Sequence, residues 1–233
     1  MKIALFGYGK MGKTIEQIAL LKGYTIVLKT SGKSSLEKII EADVAIDFST
    51  PKAAVSNIKF CMERQIPVVC GTTGWLDDYD EITRFCNKCN GAFIYASNFS
   101  IGVNLFFRMN EYLANLMKPW KEYQVSLEEI HHTEKLDTPS GTAITLAEDI
   151  IKNSDKKSWN LKKTQKNNIK ITAKRVTDVK GTHTINYQSE IDTISIQHEA
   201  HSRQGFALGA LIAAEWLLDK KGVFTMKDVL KLK

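Results

Sequence analysis

Residues 2–21 read KIALFGYGKMGKTIEQIALL, and this stretch decides the fold. KIALF is a short apolar run that stops at Gly7, and Lys13 to Leu21 then places Ile15, Ile18, Ala19 and Leu21 at helical spacing. Between them Gly7, Gly9 and Gly12 form G-x-G-x-x-G. Set between a strand and a helix, the first glycine permits a tight turn, the second lets the backbone approach a pyrophosphate, and the third lets helix pack on strand. The helix start then offers amide donors to an anion, so the segment predicts a dinucleotide loop.

The alternation continues outward. YTIVLK, DVAIDF, IPVVC and GAFIYAS read as further strands, with AAVSNIKFCMER and DDYDEITRFCNKCNG as intervening helices. Short apolar strands alternating with amphipathic helices predict a parallel, doubly wound, Rossmann-type sheet. The loops GYGKMG, DFSTP, GTTG and SNFSIG fall at strand carboxyl ends, where such sheets bind ligands. From about residue 122 the runs lengthen and alternate: YQVSLEEIHH, NIKITAKRV, THTINYQSEI and DTISIQHEAHS. They predict a second, α+β domain with an antiparallel or mixed sheet, interrupted by the helix GTAITLAEDIIKN. The apolar helix GFALGALIAAEWLLDKK is expected to return to the first domain, giving residues 1–99 and 205–233 for one domain and 100–204 for the other.

Composition narrows the class. The chain has 233 residues, 43% hydrophobic and 25% charged, as a packed globular protein has. No run approaches the roughly 20 apolar residues of a membrane span, and MKIALFGYGKMGK shows no cleavage site, so a cytoplasmic protein without a membrane partner is expected. The net charge is +6, yet many lysines cluster in residues 152–168, KNSDKKSWNLKKTQKNN, which reads as a solvated loop. Without a groove-entering helix or stacking aromatics, nucleic-acid binding is not expected; a cationic pocket for a small anion accounts for the bias. Cys86 and Cys89 form C-x-x-C, but they share a helix face with Ile82 and Phe85, and no second pair follows at zinc spacing. Core packing is the expected role. His198 and His201 fall on opposite faces of a strand, which argues against a metal there.

An acidic residue that binds ribose hydroxyls usually lies about 20 residues past the glycine loop. Here the second strand ends in Leu28, Lys29, Thr30 and Ser31. Lys29 and Lys33 are candidates for a 2′-phosphate, so the cofactor is NADPH or NADH with a lean to the former.

The chemistry is expected in EEIHHTEKLDTPSGT, residues 128–142. A strand leads into His131 and His132, Lys135 follows, and Pro139, Ser140, Gly141 and Thr142 open a helix. Histidine is suited to moving a proton near neutral pH, lysine offers a fixed cation, and the helix start is an anion cradle. Each alone is an ordinary surface feature; together, in a chain with a dinucleotide loop, they suggest a reductase.

The run Glu129–Thr142, with GYGKMG, DFSTP, GTTG, ASNFSIGVN and HEAHSRQGFALGA in the same order, resembles the 4-hydroxy-tetrahydrodipicolinate (dihydrodipicolinate) reductase family over nearly the whole chain. The resemblance implies reduction of a cyclic imine dicarboxylate in lysine and diaminopimelate biosynthesis, a tetramerising substrate domain and no metal. It implies that His131 and Lys135 are the proton-handling residues, with His132, Ser140, Gly141, Thr142 and Arg203 at the substrate. Gly7, Tyr8, Gly9, Lys10, Met11 and Gly12, with Lys29, Gly71, Thr72, Thr73, Ala96, Ser97, Asn98 and Phe99, would line the nicotinamide cofactor. The chain is shorter than usual for the family, lacks the acidic ribose ligand, and carries Glu134 between the histidines and Lys135. Two other readings are another two-domain dehydrogenase, which would want a cysteine nucleophile, and an NAD(P)-sensing protein without catalysis, which would tolerate loss of HH-x-x-K.

Overall fold

The computed structural model describes residues 1–31, 36–162 and 167–232. In chain order the elements are β1 (Lys2–Phe6), α1 (Lys10–Leu21), β2 (Thr25–Thr30), β3 (Val44–Asp47), α2 (Pro51–Met62), β4 (Val68–Cys70), α3 (Tyr79–Lys88), β5 (Ala92–Tyr95) and α4 (Ile101–Met117). There follow β6 (Gln124–His131), α5 (Gly141–Asn153), β7 (Ser158–Asn160), β8 (Asn168–Arg175), β9 (Thr182–Gln188), β10 (Thr193–Glu199), α6 (Gln204–Leu217), β11 (Gly222–Phe224) and α7 (Met226–Val229). Two compact units result, one of Met1–Ile101 with Arg203–Lys233 and one of Gly102–Ser202.

The first unit holds a parallel sheet in the order β11-β5-β4-β3-β1-β2. Its inner strands β1, β3, β4 and β5 are buried on both faces, which explains their unbroken apolar runs. Ile3, Leu5, Val44, Ile46 and Val69 face Ile15 and Ala19 of α1 and the inner face of α6. Ala4, Phe6, Ala45, Val68 and Cys70 face Ala54, Ile58 and Met62 of α2 and Ile82 and Cys86 of α3. The sixth strand, β11, lies in what reads from sequence only as a tail. Three residues are too few for a periodic signal, and its place is set by pairing Val223 beside Phe93.

Three of the four cysteines are buried, and all are free. Burial pushes the Cys61 thiol up to about 12 and the Cys86 thiol to about 11. Cys86 packs in the core as its helix periodicity predicts, while Cys89 is half-buried.

The second unit contains a five-stranded sheet, β10-β9-β6-β8-β7. The β6–β9 and β9–β10 pairs are antiparallel, whereas β6–β8 and β7–β8 are parallel, so the sheet is mixed. The cause is α5, which carries the chain back so that β8 enters at the same end as β6. Inside the lysine-rich run, Ser158–Asn160 form a strand rather than only loop, because Trp159 pairs beside Ile169 and packs on the second core. Residues 163–166 of that run lie outside the described residues.

Close approach of α6 to the chain after β5 depends on Gly209. A Cβ there would stand 1.8 Å from the Phe99 carbonyl oxygen, and backbone on both sides leaves nothing flexible to yield. Gly209→Ala is therefore expected to cost about 3 kcal/mol or more in denaturant unfolding, at the upper end of overpacking. Gly205→Ala on the same helix, where the new Cβ would meet Ser100 Oγ at an ordinary 3.5 Å, is the control and should be neutral or stabilising. Equal losses in both would remove the steric account.

Candidate active site

The β1–α1 turn is built by backbone constraint. Gly7 adopts φ +89°, and a Cβ on it would come within 2.1 Å of the Phe48 carbonyl oxygen. A Cβ on Gly12 would lie 2.3 Å from the Gly7 oxygen, whereas one on Gly9 would meet nothing within 4 Å. The first and third glycines thus close the turn while the second leaves its outer side open, as approach of a pyrophosphate requires. No side chain caps the first turn of α1, the setting in which helix amides receive an anion.

Beside it is an open crevice of about 370 Å³ lined by Gly9, Lys10, Met11, Phe48, Ser49, Pro51, Gly71, Thr72 and Thr73. Of the residues expected from sequence at the cofactor, six therefore converge here. Ala96 follows the same strand ends, donating its amide to the Cys70 carbonyl at 3.2 Å, and the Phe99 ring lies 5.9 Å from that of Phe48. Ser97 and Asn98 sit in that β5–α4 connection, where the Asn98 side chain accepts from the Ser100 amide.

The crevice wall is organised by Asp47, which sequence reading passed over. Its buried carboxylate accepts from Thr72 Oγ1 at 2.5 Å, Ser49 Oγ at 2.8 Å, the Ser49 amide at 3.0 Å and Asn57 Nδ2 at 2.8 Å. It thereby ties the loops after β3 and β4 together.

At the edge of this unit, Lys29 Nζ lies 3.0 Å from Glu16 Oε1 and 4.9 Å from the Tyr8 ring centre, and Tyr8 donates its hydroxyl to the same carboxylate. Glu16 of α1 thus stands beside Lys29 at the end of β2. Lys33 lies outside the described residues.

In the second unit, alternation along β6 turns Val125, Leu127, Glu129 and His131 to one face. The first two enter the core, and the last two extend that face as a buried polar cluster. Glu129 is fully buried. Its Oε1 accepts from both terminal nitrogens of Arg175, each at 3.3 Å, and its Oε2 accepts the Ser140 amide at 3.0 Å. His131 Nδ1 is 3.5 Å from Oε2, and His183 Nε2 is 3.8 Å from it.

Ser140 caps α5, accepting the Ala143 amide at 3.2 Å, with its Oγ 3.2 Å from His183 Nε2. Arg175 also donates to the Asp137 carbonyl at 2.7 Å and Thr138 Oγ1 at 2.8 Å, pinning the loop between β6 and α5. Lys135, in that loop, pairs with Asp137 at 2.8 Å. Burial holds His131 down to about 4, against the opposing pull of Glu129, and holds His183 down to about 3. Both rings are neutral at neutral pH.

His132 is half-buried, with an Nδ1 that makes no hydrogen bond. Gly141 is exposed and Thr142 half-buried on the first turn of α5. Arg203 precedes α6 and belongs to the first unit.

Ligand atoms of Glu129, His131 and His183 lie within 4.8 Å of one another, a spacing one divalent ion could bridge. Here Arg175 already supplies the positive charge that Glu129 faces.

The family description "Dihydrodipicolinate reductase, N-terminus" matches residues 1–99, and "Dihydrodipicolinate reductase, C-terminus" matches residues 102–230. The chain belongs to the dihydrodipicolinate reductase family. It is 56% identical over 233 residues to a 4-hydroxy-tetrahydrodipicolinate reductase of Christiangramia forsetii, covering 99% of this chain and 98% of that one. A relative of the same description from Archaeoglobus fulgidus is 34% identical over 99% of this chain and 100% of its own.

Among solved structures, a dipicolinate-bound dihydrodipicolinate reductase from Paenisporosarcina sp. TG-14 superposes with TM-score 0.76 at 22% identity, covering 97% of each chain. An aspartate semialdehyde dehydrogenase II from Vibrio cholerae gives TM-score 0.53 at 11% identity over 93% of this chain and 98% of its own. These two likenesses concern the fold.

Sequence reading singled out His131, Lys135 and the Ser140 turn but not Glu129, Arg175 and His183, which the structure gathers around His131 and Ser140. A signal was available for Glu129. It occupies the inward position of the Val125–Leu127 face, where a carboxylate needs a buried partner. Arg175 and His183 come from other strands, so nothing local announces them.

The depressed histidines have a stability consequence. In the unfolded chain they take up protons below about 6.5, whereas the folded rings resist until about 4 and 3, so folding stability is complete above 6.5 and falls as pH drops from there toward 4. Denaturant unfolding at pH 7 and pH 5 should show this loss, and His183→Phe should reduce its slope. A pH-independent stability across that window would contradict the burial of neutral rings.

Proposed function

We propose that the protein converts 4-hydroxy-tetrahydrodipicolinate to tetrahydrodipicolinate, the 4-hydroxyl leaving as water and the resulting double bond taking hydride from NADPH or NADH, in lysine and diaminopimelate biosynthesis. The observation that carries this reading is the segment His131–Thr142. It joins a buried neutral histidine, a lysine and a capped helix start in the order HH-x-x-K-x-D-x-P-SGT. When bound, the nicotinamide supplies hydride.

This chain's residues do the rest. The Gly9 opening and the first turn of α1 receive the cofactor's pyrophosphate, and the Gly71–Thr73 loop borders the same crevice. Gly141 and Thr142, at the α5 start, receive a substrate carboxylate; the Ser140 amide is already committed to Glu129. Lys135 adds its ammonium to that anion beside Asp137, so the ring is fixed by charge and by two backbone positions. His131 is neutral in the free enzyme, and a dianionic substrate beside it favours uptake of a proton, which His131 then delivers to the carbon beside the reduced centre. His132 and Arg203 are assigned to the substrate on the resemblance of the sequence motifs.

The competing reading, a dehydrogenase with a cysteine nucleophile, is disfavoured by the thiols. Cys70 and Cys86 are core residues, and burial raises both. A cytosolic homotetramer completes the proposal. Among the described residues no helix is long and apolar enough to cross a membrane. Sedimentation should give a mass near four chains of 26.2 kDa.

Aspartate semialdehyde and pyruvate, supplied with a condensing synthase, test the activity through oxidation of each cofactor. His131→Ala and Lys135→Ala should each lower kcat by about 10²-fold or more while the dissociation constant for NADPH is unchanged. Near-wild-type turnover in both would remove these residues from the chemistry, and no oxidation of either cofactor would defeat the assignment. In pH profiles, kcat should persist to higher pH than kcat/KM, because the bound dianion raises His131 above its free-enzyme value of about 4.

Lys29 is assigned to the 2′-phosphate of NADPH, in competition with Glu16. Lys29→Ala should raise KM for NADPH several-fold without changing that for NADH, and Glu16→Gln should lower KM for NADPH. Equal effects on the two cofactors would exclude Lys29 from their discrimination.

A further inference from the structure

We propose that Glu129 is the positioning residue of the site: its one carboxylate fixes the ring tautomer of His131 and, through the Ser140 amide, the helix start that meets the substrate. The proposal rests on the functional reading above and deepens it.

The geometry divides the carboxylate in two. Oε1 is held by the Arg175 fork, and Oε2 faces donors: the Ser140 amide at 3.0 Å and His131 Nδ1 at 3.5 Å. His131 Nδ1 is buried and makes no hydrogen bond, and Glu129 Oε2 is the carboxylate oxygen that faces it. A proton on Nδ1 is drawn to Oε2, whereas a lone pair there would face a carboxylate oxygen. Glu129 thus selects the Nδ1–H ring and leaves the lone pair on Nε2, the atom that gains and delivers the proton.

On the Nε2 side stands Gly181, at φ +153°, where a Cβ would press to 3.2 Å of Nε2. The ring is therefore bounded by a carboxylate on one nitrogen and by a residue without a side chain on the other. The remaining groups that act on His131 are Lys135 and Asp137 from the loop and Arg175 from β8, while His183 from β9 stacks edge-on at 5.0 Å between centroids. Nδ1 makes no hydrogen bond to any of these groups.

Glu129→Gln separates shape from charge. Two donors on each side of the carboxylate cannot all be satisfied by one amide oxygen. With that oxygen facing Arg175, the amide NH2 faces His131 and forces the Nε2–H tautomer. Long-range ¹H–¹⁵N correlation spectra of the imidazoles, tractable with five histidines, read the tautomer directly and without turnover.

The expected results are Nδ1–H at His131 in the wild type and Nε2–H in Glu129→Gln. The latter should also show kcat lowered about a hundredfold, KM raised several-fold and NADPH dissociation unchanged. Arg175→Lys keeps a cation beside Glu129 and should retain Nδ1–H at His131.

An Nε2–H ring in the wild type overturns the proposal whatever the variants do, including the case in which Glu129→Gln does not fold. So does Glu129→Gln with the Nδ1–H ring and kcat within about threefold of wild type, or Arg175→Lys with the same tautomer change as Glu129→Gln. A wild-type enzyme without turnover defeats the functional reading alone; the ring spectra still decide the role of Glu129.

Discussion

A carboxylate without access to water, Glu129, is the constraint on which the second unit's site depends. Taking an ionised carboxylate out of water is expensive unless charge and hydrogen bonds are returned to it. Arg175 returns the charge from β8, the Ser140 amide returns a hydrogen bond from the start of α5, and two histidines close over the same oxygen. Removing one partner of such a pair costs on the order of 3–5 kcal/mol, so the cluster holds β6, β8, β9 and α5 to one arrangement. The residues assigned to the reaction are attached to that arrangement: His131 ends β6, Lys135 lies in the loop that Arg175 pins, and Gly141 and Thr142 follow the Ser140 cap.

The first unit solves a different problem by different means. Its requirement is close backbone approach, met by glycines wherever a Cβ would collide with a carbonyl: Gly7 against Phe48, Gly12 against Gly7 and Gly209 against Phe99. Asp47 does there what Glu129 does in the second unit, gathering hydroxyl, amide and backbone donors from neighbouring loops. Its partners are neutral. They stiffen the crevice wall without adding a cation beside a site that must already manage phosphate charge.

Much of this was legible in the chain. The strand–glycine loop–helix opening announced the parallel sheet because buried strands must be apolar throughout, and alternation after residue 122 announced a sheet with one covered face. The mixed pairing was less visible. Parallel neighbours β6 and β8 share no local signal, and only the crossover through α5 makes them parallel. Strands β7 and β11, three residues each, carry no period at all and exist because β8 and β5 offer them an edge. Lys29 was readable as a free cation; its pairing with Glu16 was not, since the two meet only when α1 packs beside β2.

By itself the sequence determined the family, the α/β class, the glycine loop and the segment His131–Thr142, because each is a local pattern whose chemistry depends on spacing along the chain. Tertiary structure alone decided which groups surround that segment. Glu129 is two residues from His131, but Arg175 and His183 reach it from 46 and 54 positions away in numbering from Glu129, through pairing of β8 and β9 with β6. Hydrogen bonds and charge act over a few ångströms of space, and the distance that matters to them is set by strand order, not by position in the chain.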